Sequence, residues 1–136
     1  MYNTMDMQLI KFQSHGDERG SLVAIEHGKE IPFDVKRIYY LYDTKTDVAR
    51  GFHAHKKLKQ ILIAVNGSCT IILDDGKERK SVKLTNPDEG LFIDSFVWRE
   101  MHDFSEDCTL LVLANSHYDE ADYIRSYDKF LEMAKS

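Results

Sequence analysis

At 136 residues, with 43% hydrophobic and 30% charged side chains, the chain has the length and composition of one soluble globular domain with its own core. Eighteen Lys and Arg against 23 Asp and Glu give a formal net charge of −5, which excludes a general nucleic-acid or anionic-membrane surface but leaves room for a local basic pocket. No apolar run reaches the roughly 18 residues of a membrane span, and the opening MYNTMDMQLIKFQ has neither the basic nor the apolar region of an export signal. The two cysteines, Cys69 and Cys108, each open an apolar run. They are expected as reduced, strand-embedded thiols of a cytoplasmic protein.

Short β-type runs closed by turns recur along the chain. GSLVAIE (20–26) ends at HGKEIP, VKRIYYLY (35–42) at DTKTD, and QILIAV (60–65) at NGS. CTIILDDGKERKSVKL (69–84) carries DDG, a hairpin signal, with KERK expected as its solvated tip. GLFI (90–93), VWREMHDF (97–104) and CTLLVLA (108–114) follow. Runs about ten residues apart predict an antiparallel sandwich or barrel. The tail differs: in DEADYIRSYDKFLEMA (119–134), Ala121, Ile124, Tyr127 or Asp128, and Leu131 recur at helical spacing, with Asp119 and Glu120 at its acidic start. The expected fold is all-β, a small antiparallel barrel or jelly roll with one C-terminal helix, in a single domain over 1–136.

Strand alternation sorts side chains by face. Arg37, Tyr39 and Leu41 share one face of their strand, and Ile38, Tyr40 and Tyr42 the other. Val97, Arg99, Met101 and Asp103 oppose Trp98, Glu100, His102 and Phe104 in the same way. Faces that mix basic, aromatic and apolar residues suit a ligand pocket better than a purely structural interior.

RGFHAHKKLKQ (50–60) places His53 and His55 on one strand face. The pair has three readings: metal ligands, an acid–base pair, or polar strand residues. Its setting, G-x-H-x-H followed by Gln60, an apolar strand and Gly67, is similar to the first motif of the cupins, small β-barrels with a ligand site in the mouth. Metal-binding cupins carry Glu where Gln60 stands and a later His where Arg99 stands. A divalent ion needs three or four N or O donors, and a guanidinium opposes it, so the pair reads as catalytic and not metallic. His15, His27, His102 and His117 read as structural or exposed.

The chain resembles the metal-free cupin sugar-nucleotide isomerases, the dTDP-4-keto-6-deoxyglucose 3,4-ketoisomerases. The matching stretches are ERGSLVAIE, IPFDVKRIYYLYDT, RGFHAHKKLKQILIAVNGSC, ILDDG, VWREMHDFSEDC and YDEADYIRSYDKF, from about residue 17 to 130. The resemblance implies migration of the 4-keto group of a dTDP-linked 4-keto-6-deoxyhexose to C3, without metal, nicotinamide or other cofactor. It also implies use of the product for 3-amino-3,6-dideoxyhexoses of surface polysaccharides, and a homodimer with strand exchange.

Ketone migration removes a proton from C3 and returns one to C4 through an enediol, which calls for a positioned base near neutral pKa. His53 is expected as the carbon base, His55 as the proton shuttle at the oxygens, and Tyr39 as a hydrogen-bond donor to the enediolate. Arg19, Arg37, Arg50 and Arg99 are candidates for the sugar oxygens and diphosphate, Trp98 or a tyrosine for stacking on thymine, and Gln60 for a substrate contact. Family members that invert C4 pair an Arg like Arg19 with a His. Those that retain C4 pair a Tyr with an Arg like Arg99. The product configuration therefore stays open, galacto or gluco, with a lean to galacto. Three rivals remain: a 3,5-epimerase of the same sugar nucleotide, a metal-dependent cupin dioxygenase, and a non-catalytic sugar-nucleotide-binding module.

Overall fold

The computed structural model describes residues 9–26 and 28–135; most of the opening stretch MYNTMDMQLIKFQ and His27 lie outside the described residues. In chain order the elements are β1 (Leu9–Lys11), β2 (Ser14–Asp17), β3 (Gly20–Val23), β4 (Arg37–Leu41), β5 (Arg50–His55), β6 (Gln60–Asn66) and β7 (Cys69–Asp74). Then follow β8 (Arg79–Leu84), β9 (Glu89–Ile93), β10 (Trp98–His102), β11 (Thr109–Ala114), a 3₁₀ turn (Glu120–Asp122), β12 (Tyr123–Ile124) and α1 (Tyr127–Ala134).

Two five-stranded antiparallel sheets face one another, ordered β1-β9-β6-β11-β4 and β12-β5-β10-β7-β8. Both have free edges among the described residues, so the expected barrel is built as an open jelly-roll sandwich. Between the sheets lie Leu62, Leu91, Leu110 and Val112 from the first and Ile71, Leu73 and Met101 from the second, all 5% exposed or less. Each such residue contributes roughly 1.5–3 kcal/mol through burial. The outer face of the first sheet is covered in turn: Ile61, Ile63, Phe92 and Leu113 pack against Phe12 and Ile31. The β2–β3 hairpin forms a separate two-stranded sheet.

The alternation expected from the sequence sets these faces. Tyr39 pairs with Val112 and Leu41 with Leu110, so Arg37, Tyr39 and Leu41 point inward, while Ile38 and Tyr40 are 61% exposed. The DDG turn joins β7 to β8 in register, with Asp74 opposite Arg79.

The tail corrects one expectation. Helix is confined to Tyr127–Ala134, whereas residues 119–126 form the 3₁₀ turn and a strand. Tertiary contacts overrule the helical spacing. Tyr123 and Ile124 pair with His55 and Ala54 of β5, and the Asp122 carboxylate accepts the backbone N–H groups of Lys57 and Leu58. Ser126 then caps α1 through Lys129 N–H, and Phe130 docks the helix on Trp98 and Ala54.

Candidate active site

The site begins with an irregularity in β5. His53 pairs with Arg99, Gly51 with Glu100 and Arg50 with Met101, so Phe52 is one residue too many for its partner strand. The extra residue is accommodated by left-handed backbone at Gly51 (φ 92°) and Phe52 (φ 58°). A Cβ at position 51 would lie 3.2 Å from the Arg99 carbonyl oxygen, in a conformation that L side chains rarely adopt. The bulge turns Phe52 outward, edge-on to His102 at 5.7 Å. Regular alternation would separate Arg50 from His53; the bulge gives them one face.

His53 and His55 stand ring to ring, centroids 4.9 Å apart, with Tyr123 at 5.0 and 4.4 Å. His55 is 1% exposed, and its Nδ1 lies 3.2 Å from Asp122 Oδ2. Its Nε2 is buried and has no hydrogen-bond partner among the described residues. A carboxylate at Nδ1 favours the Nδ1–H tautomer and leaves a lone pair at Nε2. Burial first, then the charge of Arg99, lowers the pKa of both rings, that of His53 to about 4. Both imidazoles are therefore held neutral at pH 7, as weaker bases than the near-neutral group expected from the sequence.

Behind them runs a fixed chain of polar groups. Arg99, fully buried, donates from Nε and Nη2 to the Val97 carbonyl and from Nη1 to Gln60 Oε1 at 2.5 Å. Gln60 Nε2 donates in turn to Tyr39 Oη at 2.8 Å. A cleft of about 510 Å³ opens in front, lined by Arg37, Tyr39, Arg50, His53, Tyr123 and Arg125 among others. The Arg37 guanidinium sits between the rings of Tyr39 (5.1 Å) and Tyr118 (5.8 Å). Arg125 lies 4.2 Å over the Tyr123 ring and is held by both Glu120 oxygens at 2.8 and 2.9 Å. The cleft thus combines one neutral imidazole, His53, the phenols of Tyr39 and Tyr123 and three guanidinium groups, a set suited to an anionic ligand with a proton to move.

The family described as FdtA: WxcM-like, C-terminal, matches residues 5–135. The chain belongs to this family. It is 56% identical over 126 residues to a TDP-4-oxo-6-deoxy-alpha-D-glucose-3,4-oxoisomerase from Aneurinibacillus thermoaerophilus, covering 93% of this chain and 91% of that protein. Its structure is similar to that of a 3,4-ketoisomerase from Helicobacter canadensis, with TM-score 0.93, 53% identity and coverage of 96% and 98%. It is also similar to QdtA, a sugar 3,4-ketoisomerase from Thermoanaerobacterium thermosaccharolyticum in complex with TDP, with TM-score 0.92, 51% identity and 93% coverage of both chains. The expectation of a ketoisomerase-like cupin fold agrees with these relatives.

Of the residues expected in the site, the fold brings together His53, His55, Tyr39, Arg37, Arg50, Gln60 and Arg99. Two stand elsewhere. Trp98 is 3% exposed behind the sheet, its ring against Tyr127 at 5.3 Å and Phe130 at 6.0 Å and its Nε1 donating to Glu100. It has no free face for a base, which corrects the stacking expectation. Arg19 lies on the exposed β2–β3 hairpin, paired with Asp17 at 2.6 Å, outside the residues lining the cleft. The sequence reading missed Asp122, Tyr123 and Arg125. Tyr123 and Arg125 were visible as an i, i+2 pair, the strand signature, inside a stretch read as helix.

Proposed function

We propose that the protein moves the keto group of dTDP-4-keto-6-deoxyglucose from C4 to C3. The observation that carries this reading is the convergence of neutral His53 and the Tyr39 hydroxyl on one arginine-lined cleft. The relatives reported above support the substrate class. In the first half-reaction His53 takes the proton from C3, the C–H electron pair forms the C3–C4 double bond, and negative charge collects on O4, where Tyr39 donates a hydrogen bond. Protonation of O4 gives the enediol. In the second half-reaction O3 loses its proton, the electron pair returns the double bond to C3–O3, and C4 receives a proton. His55, braced by Asp122, 1% exposed and outside the residues lining the cleft, would serve the oxygens at its unpartnered Nε2 once the bound sugar reaches it. Arg37, Arg50 and Arg125 suit the diphosphate.

The donor set gives no encouragement to a metal route: beside the two imidazoles stand an amide and a guanidinium, and the positive charge of Arg99 that opposes protonation of the rings opposes a cation equally.

The same reading includes a homodimer with strand exchange. It is supported by the free edge of β4 among the described residues, by the outward Ile38, Tyr40 and Tyr42 at 61–65% exposure, and by a hairpin, β2–β3, that stands apart with Leu22 60% exposed. Exchange of that hairpin is what would carry Arg19 to a cleft. Cytoplasmic placement is supported by the two free, buried thiols Cys69 and Cys108, which suit a reducing compartment.

The test is proton NMR of the protein with dTDP-4-keto-6-deoxyglucose in D2O, with an EDTA-treated aliquot and His53→Asn alongside. A 3-keto product, made equally well with EDTA and slowed roughly a thousandfold in the variant, is the expected result. Its C4 coupling gives the configuration. Deuterium uptake at C5 without ketone migration would point to an epimerase instead, and no uptake at all to a binding module.

A further inference from the structure

Arg99, Gln60 and Tyr39 form a hydrogen-bonded chain whose direction is fixed by chemistry at its buried end. A guanidinium only donates, so the Gln60 amide must turn its oxygen toward Arg99. Its nitrogen must then face Tyr39, and at 2.8 Å the Tyr39 oxygen must accept. With that role taken, the hydroxyl proton of Tyr39 has to point elsewhere, and the ring lines the cleft. Burial of Arg99 lowers its pKa only to about 10, so it stays a cation and a pure donor at neutral pH. Burial raises the pKa of Tyr39, which keeps its proton. Gln60 is 1% exposed and is not among the cleft-lining residues, so it stands behind Tyr39 instead of touching a ligand directly.

We infer that Gln60 is a positioning residue, oriented by Arg99, whose amide forces the Tyr39 O–H to donate into the cleft at the oxygen where enediolate charge collects. This rests on the ketoisomerase reading above. Gln is the side chain that can do so: a Glu at 60 would accept at both ends and draw the Tyr39 proton back into the protein.

A double-mutant cycle tests it, with ketone migration followed by NMR and with dTDP affinity and thermal melting recorded for each variant. Gln60→Glu preserves shape and still pairs with Arg99. It is expected to lower kcat roughly a hundredfold, the range seen when one donor to a developing oxyanion is lost, while KM and the dTDP Kd change by less than about twofold. In the Tyr39→Phe background, where no hydroxyl remains to be turned, the same substitution is expected to cost less than about threefold. Gln60→Met removes the donor without adding charge and serves if the Glu variant does not fold; its smaller loss, about tenfold, must likewise vanish in Tyr39→Phe. Wild-type kcat in Gln60→Glu, or equal losses with and without the Tyr39 hydroxyl, would overturn the inference. Failure of the wild-type protein to move the ketone at all would overturn the ketoisomerase reading instead.

Discussion

The two faces of β10 carry similar side chains toward opposite ends. On the inner face, Arg99 and its neighbours His53, His55, Gln60 and Tyr39 form the back of the cleft. On the outer face stand Trp98, Glu100 and His102, with Trp98 packed against α1. There Glu100 accepts from Trp98 Nε1 at 3.0 Å, from Arg79 at 3.4 Å and faces His102 Nε2 at 2.9 Å. Asp74 accepts from Tyr127 Oη at 2.7 Å and from Arg79 at 3.1 Å. The cluster closes on itself and clamps the C-terminal helix to the sheet. The inner face does not close. Of the four buried side-chain polar atoms without a partner among the described residues, three belong to the site: Arg37 Nε, His53 Nδ1 and His55 Nε2. Buried polar atoms normally find partners; these three lack one and cluster beside the cleft.

That contrast can be broken from the outer side first. Trp98→Ala removes a ring that is 3% exposed and central to the α1 contact, and is expected to cost about 3–5 kcal/mol of stability in urea unfolding. Below the new melting point kcat should stay within about twofold, because the ring touches none of the reacting groups. A large loss of kcat with stability intact would place Trp98 in the site after all.

Asp122→Asn attacks the inner side at the point where it resembles the outer one. Asp122 holds both His55 and the backbone of Lys57 and Leu58. An amide nitrogen facing Nδ1 would favour the opposite tautomer, and kcat is expected to fall about 10–100-fold, with a smaller effect on melting. A variant that melts early but turns over normally would assign Asp122 to the scaffold.

A further difference between the two faces is read by pH. Both imidazoles titrate below the ordinary value of 6.5, so the unfolded chain binds more protons than the folded one below that pH. Their contribution to stability is complete above pH 6.5 and is lost as pH falls toward about 4, where His53 titrates in the fold. The slope is up to about 1.4 kcal/mol per pH unit for each ring. Urea unfolding between pH 7 and pH 4.5 should show this slope in the wild type and a shallower one in His53→Asn; identical slopes would mean that His53 is not held neutral.

Much of this was legible from period-2 alternation. It sorted Arg37, Tyr39 and Leu41 inward, Ile38 and Tyr40 outward, and already set Trp98 on the opposite face from Arg99, so the thymine-stacking expectation conflicted with the same pattern that located Arg99. Two features were not legible. The bulge at Gly51 and Phe52 interrupts the alternation, and only the pairing with β10 reveals it. The segment around Asp122 has Ile124 buried at a spacing that fits helix and strand alike; what decided between them was the free edge of β5, a partner distant in the chain.

The bulge also divides the changes that β5 can tolerate into two kinds. Substitution at Phe52 alters an outward side chain and leaves every register intact. Deletion of Phe52 would make the strand regular with the same pairing to β10, and Arg50, then two residues before His53, would keep the inner face. The enzyme would keep its bases and its guanidinium and lose the outward ring that meets His102. Relatives that lack this one residue would be expected to present the same β5 side chains to the cleft and to differ on the outer surface of the sheet.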